Sequence, residues 1–383
     1  RDIAIQQREN DLVLGTFGRG FYVMDDYSVL REIENNEVDD KPKLYDVRDA
    51  LMWEKAAPLG LPGKAFQGDN FYLADNLDPV AIFDYNYNHK YESLKSKRQK
   101  KEKELIKDQK DVSYPSYEEL YNEINEEKPQ LVFTIRNDKN KVVKKIFRSP
   151  SKGLSRFTWN LRYEEKDPIS LRSSSFYNPF AGVSEGTLIN PGIYSIEMAV
   201  LNEGEMTNLV DPKSFNVIAL NNTVMPAEDR NAKVEFQRKV SLLQGLIGEY
   251  SRKFSEVRDK MPYIEKAVKI SEQPLEDISK MVWGINKSIK EISEKFYGDG
   301  VKSRLDIQSY LTPSSRLGAV AYYQKYSTAA PTKTHMDSYE IAKEEFEPIK
   351  VLINDLKLEM QELEKFLKDS GAPYTPGRPK AIN

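Results

Sequence analysis

The sequence predicts a multidomain α+β protein: a short opening ribbon of strands, a β-sandwich carrying a charged helical insertion, and a C-terminal antiparallel helical bundle. Three observations lead there. The chain opens on a glycine-punctuated apolar stretch, Asp11–Asp26. Between residues 130 and 218 apolar residues recur at every second position, the period of half-buried strands. From Asp229 onward the spacing changes to alternating threes and fours, the period of packed helices.

The opening stretch reads as two strands, Leu12–Thr16 and Gly20–Met24, joined by a turn that carries Gly18 and Gly20. A preceding strand, Asp2–Gln6, is set off by the polar Arg8-Glu9-Asn10 turn. One face of this ribbon is apolar. A small meander of this kind is not stable alone, so the ribbon reads as the end of something larger.

The segment DLVLGTFGRGFYVMDD resembles the last blade of the bacterial BNR/sortilin-type β-propeller proteins, in which Gly-Thr-x-Gly-Arg-x-Phe/Trp-x-x-x-Asp-Asp closes the propeller. The matching residues are Gly15, Thr16, Gly18, Arg19, Phe21, Asp25 and Asp26. The resemblance implies that residues 1–33 are the last propeller strands. Residues 34–75 would be a linker and extended connection. An Ig-like sandwich would follow over 76–220 with a helical insertion at 90–128, then a bundle over 227–370 and a Pro-rich tail over 371–383. It also implies an extracytoplasmic location and a chain that is the C-terminal part of such a protein. The partner it implies is the missing N-terminal propeller part or another protein chain.

Composition narrows the classes. Hydrophobic residues are 39% and charged residues 31%, polar for a globular chain but far from a disordered one, so the excess charge belongs on solvated helices. A net charge of −3 provides no global field for nucleic acid or an anionic membrane. The absence of cysteine excludes disulfides and thiolate metal sites. No apolar run approaches membrane-spanning length. No leader peptide is visible, which carries no weight in a chain expected to begin mid-protein.

Along the chain, Tyr27–Ile33 reads as a short turn or helix, and Glu34–Lys43 as an acidic linker. Leu44–Trp53 reads as a short strand and turn, residues 57–64 as a Pro/Gly loop, and Val80–Tyr85 as the first strand of a new domain. Where the family carries Asn-Pro-Pro, this chain has Asn76-Leu77-Asp78-Pro79. A basic helix, Lys90–Val112, precedes an acidic one over 115–128 that opens on a capping arrangement at Ser116. The pair reads as a solvated hairpin. The alternative, a nucleic-acid patch, wants interleaved aromatics that the basic run lacks.

The next strands are Leu131-Phe133-Ile135 on one face, a return over Val142–Phe147, and Phe157-Trp159-Leu161. After a long loop, Glu164–Asn190, come Tyr194-Ile196-Met198-Val200 and a last strand over Phe215–Ile218. The wording Phe157-Thr158-Trp159-Asn160-Leu161-Arg162, followed by Pro191-Gly192-Ile193-Tyr194, resembles the family's Ig-like or fibronectin-type module. Trp159, flanked by Phe157 and Leu161, reads as core; the alternative is a sugar-stacking platform.

Three helical seams follow: Phe236 to Met261, Leu275 to Phe296 and Tyr339 to Leu367. They can satisfy one another within one chain, which favours an intramolecular bundle over a coiled-coil dimer. Pro262 and Pro274 are expected to bracket the first crossover, Asp306–Tyr326 to add one or two shorter helices, Pro348 to kink the last helix and Gly371 to end it.

No catalytic, cofactor or metal constellation appears. The two histidines, His89 and His335, sit in separate polar contexts. Asp25 and Asp26 are adjacent on a strand and so point to opposite faces, unlike a carboxyl pair set across a sugar ring. One of them is expected to cap the following turn or to pair with Arg19. The function these readings support is a non-catalytic interaction and scaffold region. The alternative is an accessory region of a glycan-hydrolysing propeller enzyme. No cofactor, nucleic acid or membrane span is expected, and a glycan partner has no residue to support it.

Overall fold

The computed structural model describes residues 2–33, 41–53, 78–88, 91–165, 169, 186–220, 225–270, 275–325 and 327–376. The predicted linker over 34–40, the loop at 57–64, Asn76-Leu77, most of the Glu164–Asn190 loop, His89, Pro274 and the tail beyond Pro376 lie outside them. Among the described residues the fold is mixed α+β, with eight helices and three sheets. These fall into two compact units. One lies within Arg1–Trp53, Asp69–Tyr163 and Ile189–Asn222, the other within Glu54–Gly68, Glu164–Leu188 and Thr223–Asn383.

The first unit opens on a meander of β1 (Asp2–Gln6), β2 (Asp11–Gly15) and β3 (Phe21–Met24), followed by the short helix α1 (Ser28–Arg31). Its other two sheets are built from β4 (Lys43–Leu44), β5 (Ala50–Met52), β6 (Ala81–Asn86), β7 (Gln130–Asn137), β8 (Val142–Arg148), β9 (Leu154–Trp159), β10 (Gly192–Asn202) and β11 (Glu205–Ala219). One sheet has the order β5-β11-β10-β7-β8, antiparallel except where β5 joins β11; the other has the order β4-β6-β9 and is antiparallel throughout. Aromatic side chains of the two sheets meet. Phe133 lies 4.6 Å from Phe157 and 4.8 Å from Tyr85, and Phe83 lies 5.4 Å from Phe215, ring centre to ring centre. Trp159 is 2% exposed, packs on Tyr194, and its indole N–H donates to the Arg162 carbonyl at 3.0 Å. Burial therefore leaves no open indole face for a sugar.

One sequence expectation needs correction here. The last strand begins at Glu205, ten residues before Phe215, because Glu203 and Gly204, both at positive φ, close a tight hairpin between β10 and β11. Pro212 sits where the pairing jumps from Lys213–Ile196 to Val210–Met198, a bulge that tolerates its missing N–H. The charged insertion forms α2 (Leu94–Lys107) and α3 (Tyr117–Asn125). Ser116 and Glu119 cap α3 reciprocally, and Arg98 of α2 forks onto the Glu123 carboxylate of α3.

The second unit holds α4 (Arg230–Lys269), α5 (Leu275–Tyr297), α6 (Gly300–Arg304), α7 (Pro313–Lys325) and α8 (Lys333–Asp369). Residues of all three seams meet in one apolar core, with Phe254, Ile285, Phe346 and Leu363 almost fully buried. Their pairing gives the direction of each rod, and each runs against the next along the chain, as an antiparallel bundle requires. Phe236 packs on Tyr339, Tyr250 on Phe346, and Lys260 pairs with Glu364, so α4 and α8 run in the same direction. Asn286 meets Glu265, Ser288 meets Glu359 and Phe296 meets Phe346, so α5 runs against both. Arg316 meets Glu345 and Gln324 meets His335, so α7 also runs against α8, further toward its N-terminus. Thus α5 and α7 lie in series, a third rod in two pieces beside two continuous ones. Pro262 does not mark a crossover but lies inside α4, because Ile264, Ala267 and Val268 beyond it are still buried in core. The last helix runs through Pro348 and ends where Gly371, at φ 67°, lets the Ala372 N–H reach the Leu367 carbonyl.

Candidate interaction surface

The opening ribbon is where the structure departs most from ordinary burial. Its register sets Ile3 beside Leu14 and Tyr22, and Ile5 beside Leu12 and Met24. Residues opposite one another share a face, so these six form one apolar surface. The alternate positions set Ala4 beside Val13 and Val23, and Gly15 beside Phe21. The second face is therefore apolar as well, where the sequence reading expected one. Neither is covered: Ile3 is 64% exposed, Tyr22 55%, Val23 58% and Phe21 82%. All of β1 and β3 is exposed, and β2 is only half-buried between them.

The glycine motif shapes the ribbon's tip. Gly18 and Gly20 both take positive φ, and the Thr16 hydroxyl donates to the Gly20 carbonyl at 2.7 Å while its N–H donates to the same oxygen. Phe17, in the loop, is 82% exposed.

The base is held by charge. Asp26, 4% exposed and at φ 45°, accepts from the Ser28 N–H and hydroxyl, and its own N–H donates to the Asp11 carboxylate at 3.0 Å. Of the two roles expected for the aspartates, the structure shows the cap; neither pairs with Arg19 among the described residues. Arg156 of β9 is the clamp. It forks onto Asp84, its neighbour on β6, with two bonds of 2.8 Å, and donates to the carbonyls of Asp25 and Asp26 at 2.7 Å each. The Asp84 carboxylate holds the Arg156 guanidinium firmly protonated, its pKa raised against the opposing effect of burial. Arg48 makes a second tie, to the carbonyl and carboxylate of Glu9. Sequence reasoning missed both arginines, since they lie far from the ribbon in the chain and belong to no local motif.

No protein-family model and no curated protein matches the chain. Among the described residues no group of three or more His, Asp or Glu side chains is placed to hold a metal ion. His335 serves the N-terminus of α8, where its Nδ1 accepts from the Thr332 N–H and lies 2.9 Å from the Gln324 amide nitrogen. No helix among the described residues is long and apolar enough to cross a membrane. The chemistry this surface offers is that of association: two apolar sheet faces and two strand edges unpaired among the described residues, on a base fixed by charged hydrogen bonds and an ion pair.

Proposed function

We propose that the ribbon is the closing part of a BNR/sortilin-type propeller blade, and that this chain is a non-catalytic interaction and scaffold region of an extracytoplasmic protein of that kind. The observation that supports it is the ribbon's two apolar, uncovered faces. A sheet at the surface of a domain needs one apolar face. A sheet apolar on both needs a neighbour on each side, which is the environment of a propeller blade. The two facing sheets beside it serve, on this reading, as an Ig-like sandwich, with β4-β6-β9 against β5-β11-β10-β7-β8, and the clamp at Arg156 joins the ribbon's base to that module.

Hydrogen exchange tests the reading. The amides of β1 to β3 are compared in this chain and in the full polypeptide encoded by its gene. The expected result is rapid exchange here and strong protection in the full polypeptide, with Phe21 and Tyr22 becoming inaccessible to surface labelling. Equal exchange in both, or a gene with no blade repeats ahead of Arg1, overturns the proposal.

A further inference from the structure

The hairpin of α2 and α3 forms a second unpartnered surface, separate from the ribbon. Neither helix contains a fully buried residue. Along α3 and the turn before it, Tyr114, Tyr117, Tyr121 and Ile124 follow one another at spacings of three and four, and are 90%, 79%, 55% and 82% exposed. A stripe of this kind on a free helix is apolar area awaiting a cover.

Charge is segregated beside it. Exposed Lys95, Lys97, Lys101, Lys103 and Lys107 of α2 make no ion pair among the described residues, whereas Arg98 and Lys100 are already paired. On α3 the carboxylates of Glu119 and Glu123 serve the cap and Arg98, and Glu118 stays exposed with no ion pair among the described residues. One helix thus offers spare cations on long apolar stems, and the other offers exposed aromatic rings with acidic flanks. Each is what the other would bind: lysine stems cover tyrosine faces, and their ammonium groups reach the rings and carboxylates. Within one hairpin the stripe side chains stay 55–90% exposed, so the lysines of α2 do not cover them.

We propose that the hairpin is a self-association device: α3 of one copy of this chain lies on α2 of a second copy, and the reverse contact is made about a two-fold axis, giving a four-helix arrangement. The surface is self-complementary, as a two-fold interface requires. At roughly 150–200 Å² for each large side chain, scaled by exposure, the stripe supplies about 500 Å² per copy. The two copies together then bury about 1,000 Å², the lower limit of a specific interface. The dimer is accordingly weak, reversible and sensitive to salt.

Sedimentation of the full chain across a concentration series tests this, with helix content checked by circular dichroism. Wild type is expected to show a monomer–dimer equilibrium that weakens as salt rises. Tyr117→Ser/Tyr121→Ser, Lys97→Glu/Lys101→Glu and Glu118→Lys/Asn122→Lys should each raise Kd at least about tenfold. Mixing the last two should restore a heterodimer, since each then offers what the other lacks. Phe21→Ser/Tyr22→Ser should leave the equilibrium unchanged, which separates this interface from the ribbon. Three results overturn the proposal: a wild-type monomer throughout, a dimer lost only with the ribbon variant, or reversals that are not rescued by mixing. Binding of an oligonucleotide by a monomeric wild type would assign the lysines to an anionic polymer instead.

Discussion

Arg156→Ala is the sharpest test of how the ribbon is held. The side chain makes four hydrogen bonds, two to Asp84 and one each to the carbonyls of residues 25 and 26. Its side chain is 32% exposed and that of Asp84 only 10%. Losing the two carbonyl bonds should cost about 1 kcal/mol each, at the low end for a charged donor because water reaches the site. Leaving the Asp84 carboxylate without its partner adds about 1–2 kcal/mol. The total is about 3–4 kcal/mol for the first unit, and the ribbon's share should appear as faster exchange across β1 to β3. Arg156→Leu/Asp84→Asn removes the orphaned charge and should recover the Asp84 part of the stability while the ribbon stays loose. Exchange and thermal melting measured on the same samples separate the two effects. The reasoning fails if Arg156→Ala lowers the melting temperature yet leaves the exchange of residues 2–26 unchanged, for then Arg48 or packing holds the ribbon instead.

Two further outcomes follow. Ile285→Asp would place an unpaired carboxylate among Phe254, Phe346 and their neighbours, at a site 2% exposed, and should abolish cooperative melting of the helical unit; a sharp transition in calorimetry near the wild-type temperature would refute the shared core. The hairpin should loosen in acid. The Ser116 N–H holds the Glu119 carboxyl below its ordinary pKa, and Arg98 does the same for Glu123. Carboxyls with depressed folded values contribute stability that is complete above the unfolded value of about 4.3 and is lost as pH falls through the folded ones. Protection factors of the α2 and α3 amides, taken against the intrinsic rate at each pH, should therefore fall below about pH 4, and unchanged protection would mean that these contacts contribute nothing.

Much of the helical unit was legible because burial there is periodic. Phe254, Val257 and Met261, or Ile349, Ile353 and Leu356, mark the inner face by spacing alone. That α5 and α7 share one lane was not legible, because spacing is blind to which stretch of a neighbour a face meets. Pro262 misled for a related reason. A proline costs the helix one hydrogen bond, and the buried Ile264 and Val268 beyond it outweigh that cost. In the sheets, the alternation at Leu131, Phe133 and Ile135 identified β7, whereas Glu205–Ser214, which lacks an alternating pattern, hid most of β11, whose pairing depends on β10 rather than on its own pattern. The ribbon's second face could have been read, since Leu12-Val13-Leu14 and Phe21-Tyr22-Val23-Met24 are unbroken apolar runs, the mark of strands covered on both sides. Its clamp could not, because Arg156 acts on residues 130 positions away.

The broken third rod has a consequence for reach. In a bundle of two full-length antiparallel helices the chain returns to the end where it entered. Here the return lane is shared by two shorter helices laid end to end, so α8 sets out from the same end as α4 and finishes at the other. At about 1.5 Å per residue, the 37 residues of α8 extend about 55 Å. The chain therefore enters the first helix at Asp229 and leaves the last at Ser370 with nearly the whole length of the bundle between them. The two ends of the helical run, Asp229 and Ser370, are thus held apart by the stiffness of the rods rather than by a tether.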